Sequence, residues 1–226
     1  MKIGIIAAME TEIKILKNAL DNVKIEKHAG IDVFSGKLLN LDVVLSTCGI
    51  GKVNAAVHTQ SMVDNYGIDM LIHTGVAGGL DERLKRLDLV VAERLTYHDF
   101  CDEFKTTCFP YQDFFYSDRE LLEMVLENGN GEIYTGTVVS GDQFINDSAI
   151  KTMLSKKYNA MCVEMEGAAI AHTAYLNSIP FVVLRCISDM ADDNADKSFL
   201  EFEEVAGQRA ANVVLNMLKS ISLKNQ

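Results

Sequence analysis

Short β-branched runs alternating with longer stretches of helical spacing predict an α/β protein, a three-layer α/β/α sandwich around a mixed central β-sheet. Several of these runs are apolar at successive positions, as strands covered on both faces must be. The segment "IDVFSGKLLNLDVVLS" at 31–46 instead suggests antiparallel hairpin pairing, which is why the sheet is expected to be mixed.

In chain order, the predicted strands are Ile3–Ala7, Leu41–Thr47, Met70–Thr74, Leu87–Ala92, Glu132–Val139, Ala160–Val163 and Phe181–Ile187, each a β-rich run. Between them, Glu12–Leu20, Lys52–Tyr66, Asp118–Leu126, Ser148–Ser155, Gly167–Asn177 and Phe199–Lys219 carry helical spacing. The last is read as opened by a capping box, Ser198 with Glu201, in "SFLE". Residues 99–117, beginning "DFCDEFKTTCFPYQDFF", read as a long irregular, aromatic-rich segment that covers something. With 226 residues and 48% apolar content, the chain is expected to form one domain over 1–226.

Composition excludes some partners. A formal net charge of -11 argues against nucleic-acid backbone and anionic membrane, both of which need clustered Lys and Arg. A small molecule or another protein is the expected partner. The five cysteines are odd in number and show no CxxC pair, so they are expected reduced, in a cytoplasmic protein. The apolar start of "MKIGIIAAMETE" is too short for a signal sequence, and no later run approaches the ~20 residues of a membrane span.

"GIGKVN" at 49–54 follows a strand and opens a helix, yet Asn54 stands at the third glycine position of a dinucleotide fingerprint and no acidic residue ends the next strand. It also lacks the spacing of a P-loop. The histidines, at 28, 58, 73, 98 and 172, are scattered singly, so no metal site is expected. "HTGVAGG" at 73–79 reads either as a tight turn or as backbone coming close to a ligand at a strand's carboxyl end.

The carboxylates carry more. Glu12 lies near the start of a helix, where the dipole alone would favour an acid. Glu164 and Glu166 flank Met165 between an apolar strand and an apolar helix, so at least one should face a cavity or partner. Asp189 follows "FVVLRCIS" directly; Asp192, Asp193 and Asp196 can serve the turn equally well, which leaves Asp189 less explained. Glu12, Glu166 and Asp189 can meet at one sheet edge, and with Arg185 they would suit a polyhydroxylated substrate.

These residues also carry a family resemblance. "AAMETE", "STCGIGKVNAA", "TGVAGGL", "SGDQFI", "CVEMEGAAIA" and "VLRCISDMAD", in order from end to end, resemble the 5'-methylthioadenosine/S-adenosylhomocysteine nucleosidases, of nucleoside phosphorylase-like fold. The resemblance implies hydrolysis of the N-glycosidic bond of those two nucleosides, and of 5'-deoxyadenosine, to adenine and a ribose product, in methionine salvage. It implies no cofactor. Residue by residue, it makes Asp189 the acid that protonates adenine N7 and Glu12 the group that activates water. Glu166 would hold the ribose hydroxyls, with Met165 packed on the sugar. Phe144 and Ile145 correspond to the adenine pocket and Gly78 to a glycine-turn contact. Ala8, Ile50 and Glu164 complete the substrate-binding set. Ser188 and Arg185 would support Asp189 and Glu12 respectively. A homodimer is implied as well, its neighbouring subunit reaching the 5' substituent through the region of 99–117.

Two departures stand out. Val76 replaces the serine of the family's usual "NTGSAGG", and the segment after "YHD" lacks the usual Gly- and Pro-rich character. Methylthio, homocysteinyl, plain deoxy or bulkier, aminofutalosine-type 5' groups therefore remain open. A purine nucleoside phosphorylase would need a cationic phosphate cradle, and the glycine turn carries no arginine. A non-catalytic nucleoside binder would be expected to have lost the acid or the base; Glu12 and Asp189 are both present.

Overall fold

The computed structural model describes residues 1–129 and 131–224. A sheet of ten strands runs through them. The first half is β1 (Lys2–Ala7), α1 (Glu10–Asn18), β2 (Asp21–His28), β3 (Ile31–Leu38), β4 (Leu41–Thr47), α2 (Lys52–Tyr66), β5 (Met70–Gly79) and β6 (Leu89–Tyr97). The second half is α3 (Asp102–Thr107), β7 (Phe115–Tyr116), α4 (Arg119–Asn128), β8 (Ile133–Ser140), α5 (Ser148–Tyr158), β9 (Ala160–Glu164), α6 (Gly167–Leu176), β10 (Phe181–Asp189) and α7 (Ala195–Lys224).

The pleat explains the layers. Successive strand residues point to opposite faces, so Ile5, Val43, Ile72 and Val182 join one core with Ile13 and Leu16 of α1, Val125 of α4 and Val214 of α7. Their neighbours Ile6, Val44, Leu71 and Val183 join another with Ala55 and Met62 of α2 and Ala168 and Ala171 of α6. Burying both faces is what makes these strands read as continuous apolar runs.

The sheet is mixed, and part of it closes. β1 pairs in parallel with β4 and β5, while β3 pairs antiparallel with both β2 and β4. Beyond β5, the strands β9, β8, β6 and β10 pair in turn, and β10 pairs back onto β5, completing a ring. Such closure removes the free edges that an open sheet would present.

Three expectations need correction. β2 is not among the predicted strands, because "DNVKIEKH" is an edge strand with no buried residue and hence no apolar signature. Residues 99–117 are less irregular than expected: they hold α3 and β7, with Phe115 buried beside Leu95 of β6. Ser198 does not cap α7, because the helix is already under way at Ala195. Its N–H donates to Asn194 O at 3.2 Å, and its hydroxyl accepts from Arg86 Nη1 at 3.0 Å.

Candidate active site

Parallel pairing of β1, β5 and β10 aligns their carboxyl ends. β9 meets β5 antiparallel through Gly78 and Val163, so the chain beyond Val163 turns back along β5. Glu12, after β1, Asp189, ending β10, and Glu166, after β9, are thereby brought to one cavity of about 480 Å³. Ala8, Ile50, Gly78, Phe144, Ile145, Glu164, Met165 and Ser188 line it too. Arg185 does not.

Glu12 is 1% exposed. Its Oε2 accepts from the N–H groups of Ala8 (2.9 Å) and Met9 (2.8 Å), and Oε1 accepts from that of Val76 (2.9 Å). Burial nevertheless dominates and raises its pKa, against Arg185 and these three donors. The same logic holds for Asp189, whose Oδ2 accepts from Ser188 Oγ at 2.8 Å and Oδ1 from Ala191 N–H at 2.9 Å. Burial raises its pKa past what these bonds offset, and Asp192 and Asp196 add to the rise. Gly78 is needed beside it: a Cβ there would stand 2.9 Å from Asp189 Oδ1.

Beneath the cavity lies a buried polar cluster. Arg185 bonds Glu164 and His73 at close range, and Glu166 Oε2 is 4.0 Å away. His73 Nδ1 faces Ile6 O at 2.8 Å and so carries the proton, leaving Nε2 to accept from Arg185. Burial and Arg185 push its pKa down to about 4, so it is neutral. His73, Glu164 and Glu166 lie within reach of one another, and the Arg185 guanidinium, bonded to His73 and Glu164, supplies the positive charge among them.

The paired glutamates diverge. Burial would raise the Glu164 pKa, but Arg185, with Ser140, holds it well below the usual range. Its carboxylate is committed to Ser140 Oγ, to Arg185 and to the N–H groups of Glu166 (3.0 Å) and Gly167 (2.7 Å). Glu166 goes the other way. Burial, then the negative Glu164 beside it, pushes it up to about 8. Among the described residues, its one short side-chain bond is from Gly51 N–H, at 2.8 Å to Oε1.

Sequence reasoning missed part of the wall. Met9, Gln143, Asp196, Phe199 and Leu200 also line the cavity. Phe199 meets Phe144 edge-on at 5.5 Å, and Leu200 is 78% exposed. The adjacent apolar pair Phe199 and Leu200 at the start of the last helix was the available signal, but from the sequence Phe199 is read only as that helix's first residue. No Lys or Arg lines the cavity among the described residues. The arrangement can hold a proton on a buried carboxyl, orient a second carboxyl on a small nucleophile and stack an aromatic ring.

A model described as the phosphorylase superfamily matches residues 2–219 and defines the class of this fold and site. A 5'-methylthioadenosine/S-adenosylhomocysteine nucleosidase of Staphylococcus haemolyticus is 38% identical over 225 residues, spanning 96% of this chain and 99% of the relative. Within the superfamily, the chain belongs to the 5'-methylthioadenosine/S-adenosylhomocysteine nucleosidase family. Among solved structures, the Neisseria meningitidis nucleosidase in complex with methylthio-immucillin-A superposes with a TM-score of 0.92 at 34% identity, covering 97% and 99% of the two chains. The futalosine hydrolase of Helicobacter pylori matches with a TM-score of 0.92 at 32% identity, covering 97% and 98%.

Proposed function

We propose that the protein hydrolyses the N-glycosidic bond of 5'-methylthioadenosine and S-adenosylhomocysteine, releasing adenine and the 5-thio-ribose product. The observation that carries this reading is the convergence of Glu12, Glu166 and Asp189, all buried and all with raised pKa, on one largely apolar cavity. Cleavage builds positive charge on the sugar and negative charge on the departing base, so it calls for an acid at the base and a carboxylate near the sugar. Asp189 keeps its proton because ionisation is costly where it sits, and gives it to adenine N7 as that nitrogen becomes basic. Glu12, fixed by three backbone N–H groups, takes a proton from the attacking water. Glu166 accepts from the ribose hydroxyls, Met165 packs on the sugar, and Phe144 with Ile145 holds the adenine. Val76 offers Glu12 its N–H, so replacing the family's serine leaves that contact to the backbone.

Water is favoured over phosphate because cations are absent from the described wall, and an anion would meet Glu12 there. The working unit is proposed to be a homodimer, since Phe104, Phe109 and Tyr111 are 51%, 73% and 61% exposed on the segment after β6. A second reading, a bulkier futalosine-type 5' group, is favoured by the structural likeness to that hydrolase. A panel of 5'-substituted adenosines, scored for free adenine without phosphate, separates these readings. A phosphate requirement or a sugar 1-phosphate product would place the protein among the transferases instead.

A further inference from the structure

The turn at 49–52 carries a charged network that these chemical steps leave unused. Gly51, at φ +98°, donates its N–H to Glu166 Oε1 at 2.8 Å. The next residue, Lys52, opens α2, and its N–H donates to Asp142 Oδ1 at 2.8 Å. Its ammonium contacts both oxygens of Asp99, at 2.6 and 2.7 Å, and lies 3.6 Å from Asp142 Oδ2. Asp99 Oδ2 also accepts from Asp142 N–H at 2.8 Å, closing the network.

The side chains of Lys52 and Asp99 are only 22% and 18% exposed, so water screens this pair less than an ordinary surface pair. Burial opposes the charge on Asp99, yet Lys52 and the Asp142 N–H hold its carboxyl below the usual range. Three loops are tied together in this way, those after β4, β6 and β8. Two of them build the cavity wall, through Ile50 just before Gly51 and Phe144 with Ile145 just after Asp142.

We propose that Lys52, clamped between Asp99 and Asp142, is a positioning residue for Glu166: it fixes the 49–52 turn so that Gly51 N–H holds Glu166 toward the ribose hydroxyls. This rests on the ribose role given to Glu166 above. Without the ammonium, Asp99 and Asp142 face each other uncompensated and their loops separate. Glu166 Oε1 then loses its donor, and the carboxyl group shifts toward Arg185, 4.0 Å from Oε2.

The test compares kcat and KM on 5'-methylthioadenosine and on its 2'-deoxy and 3'-deoxy counterparts. The proteins are the wild type, Lys52→Met, Lys52→Arg, Glu166→Gln and the combination of Lys52→Met with Glu166→Gln, each checked by thermal melting. Lys52→Met is expected to lose up to ~10²-fold in kcat/KM on the full ribonucleoside, the scale of a misplaced binding group. It should lose little on the deoxy counterparts, so that the preference for an intact ribose collapses as it does in Glu166→Gln. The combination should be no worse than Glu166→Gln alone, because both remove one interaction, and Lys52→Arg should restore most of the preference. If Lys52→Met keeps the wild-type preference while Glu166→Gln loses it, the clamp is overturned and the ribose reading stands. If neither variant alters the preference, the ribose role of Glu166 falls and takes the clamp with it. Should Lys52→Met fail to fold, Asp99→Asn weakens the same network from the other side and is read by the same criteria.

Discussion

Asp189 shows how one residue's surroundings decide its chemistry. An unperturbed aspartate, of pKa about 3.9, would be ionised at neutral pH and have no proton to give. Burial pushes the Asp189 pKa upward, toward keeping that proton. Asp189→Asn keeps the shape and the bond to Ala191 N–H but cannot transfer a proton. Turnover is therefore expected to fall by ~10²–10⁴-fold or more while substrate affinity survives. Steady-state kinetics beside ligand titration will show this separation, with Glu12→Gln as the comparison. Near-normal turnover in Asp189→Asn would reduce the residue to a turn former. Glu166 permits a stability test. Its folded pKa, about 8, lies above the unfolded carboxylate value, so it contributes stability below the unfolded pKa that is lost as pH rises toward and through 8. Glu166→Gln has no such charge to bury. Its melting temperature should match the wild type near pH 5 and exceed it increasingly toward pH 9, by about 2–4 °C for each kcal/mol. A difference that stays flat with pH would contradict the raised pKa. At this scale the sequence was informative, because carboxylates abutting apolar runs stand out. Lys52 was not, since "GIGKVN" was weighed only as a nucleotide motif and its partners lie 47 and 90 residues away.

Among the elements, β4 and α2 end where the sequence analysis places them, at Leu41–Thr47 and Lys52–Tyr66. Both end on local chemistry: α2 lies between Gly51 at φ +98° and left-handed Gly67. β5 and β10 run longer than predicted, to Gly79 and Asp189, because pairing between them continues past the apolar run through glycines and polar residues. That extension is what carries Gly78 and Asp189 into the site, and no single-strand signal announces it. Gly75 on β5 makes a sharp test. A Cβ there would stand 2.6 Å from Glu12 Oε1 and collide with Arg185 Nη1. Both groups are buried and Glu12 is held by three backbone N–H groups, so little room is left for either to retreat. Gly75→Ala is expected to cost at least the ~1–3 kcal/mol of an overpacked core, read as a lower urea midpoint, and to depress turnover with it. An unchanged midpoint would mean that β5 shifts to make room.

For the whole molecule, the exposed aromatics of the segment after β6 predict association. Light scattering should find a dimer, and Phe109→Asp should shift it toward monomer while slowing substrates with large 5' groups more than 5'-deoxyadenosine. A monomeric wild type of full activity would remove the partner from the site. The ring formed by β5, β9, β8, β6 and β10 has a further consequence, visible in deuterium uptake. Amides of β5 and β10 are held by neighbours on both sides within a closed circuit, so no partial fraying frees them, and they should exchange only when the entire chain unfolds. β2, an outer strand bearing Asp21, Lys24, Glu26 and Lys27, can peel away without disturbing that circuit, and its outward-facing amides should label in seconds. Asp189, the proposed acid, thus ends one of the slowest-exchanging strands of the protein, and the room a substrate needs to enter must come from the loops above it.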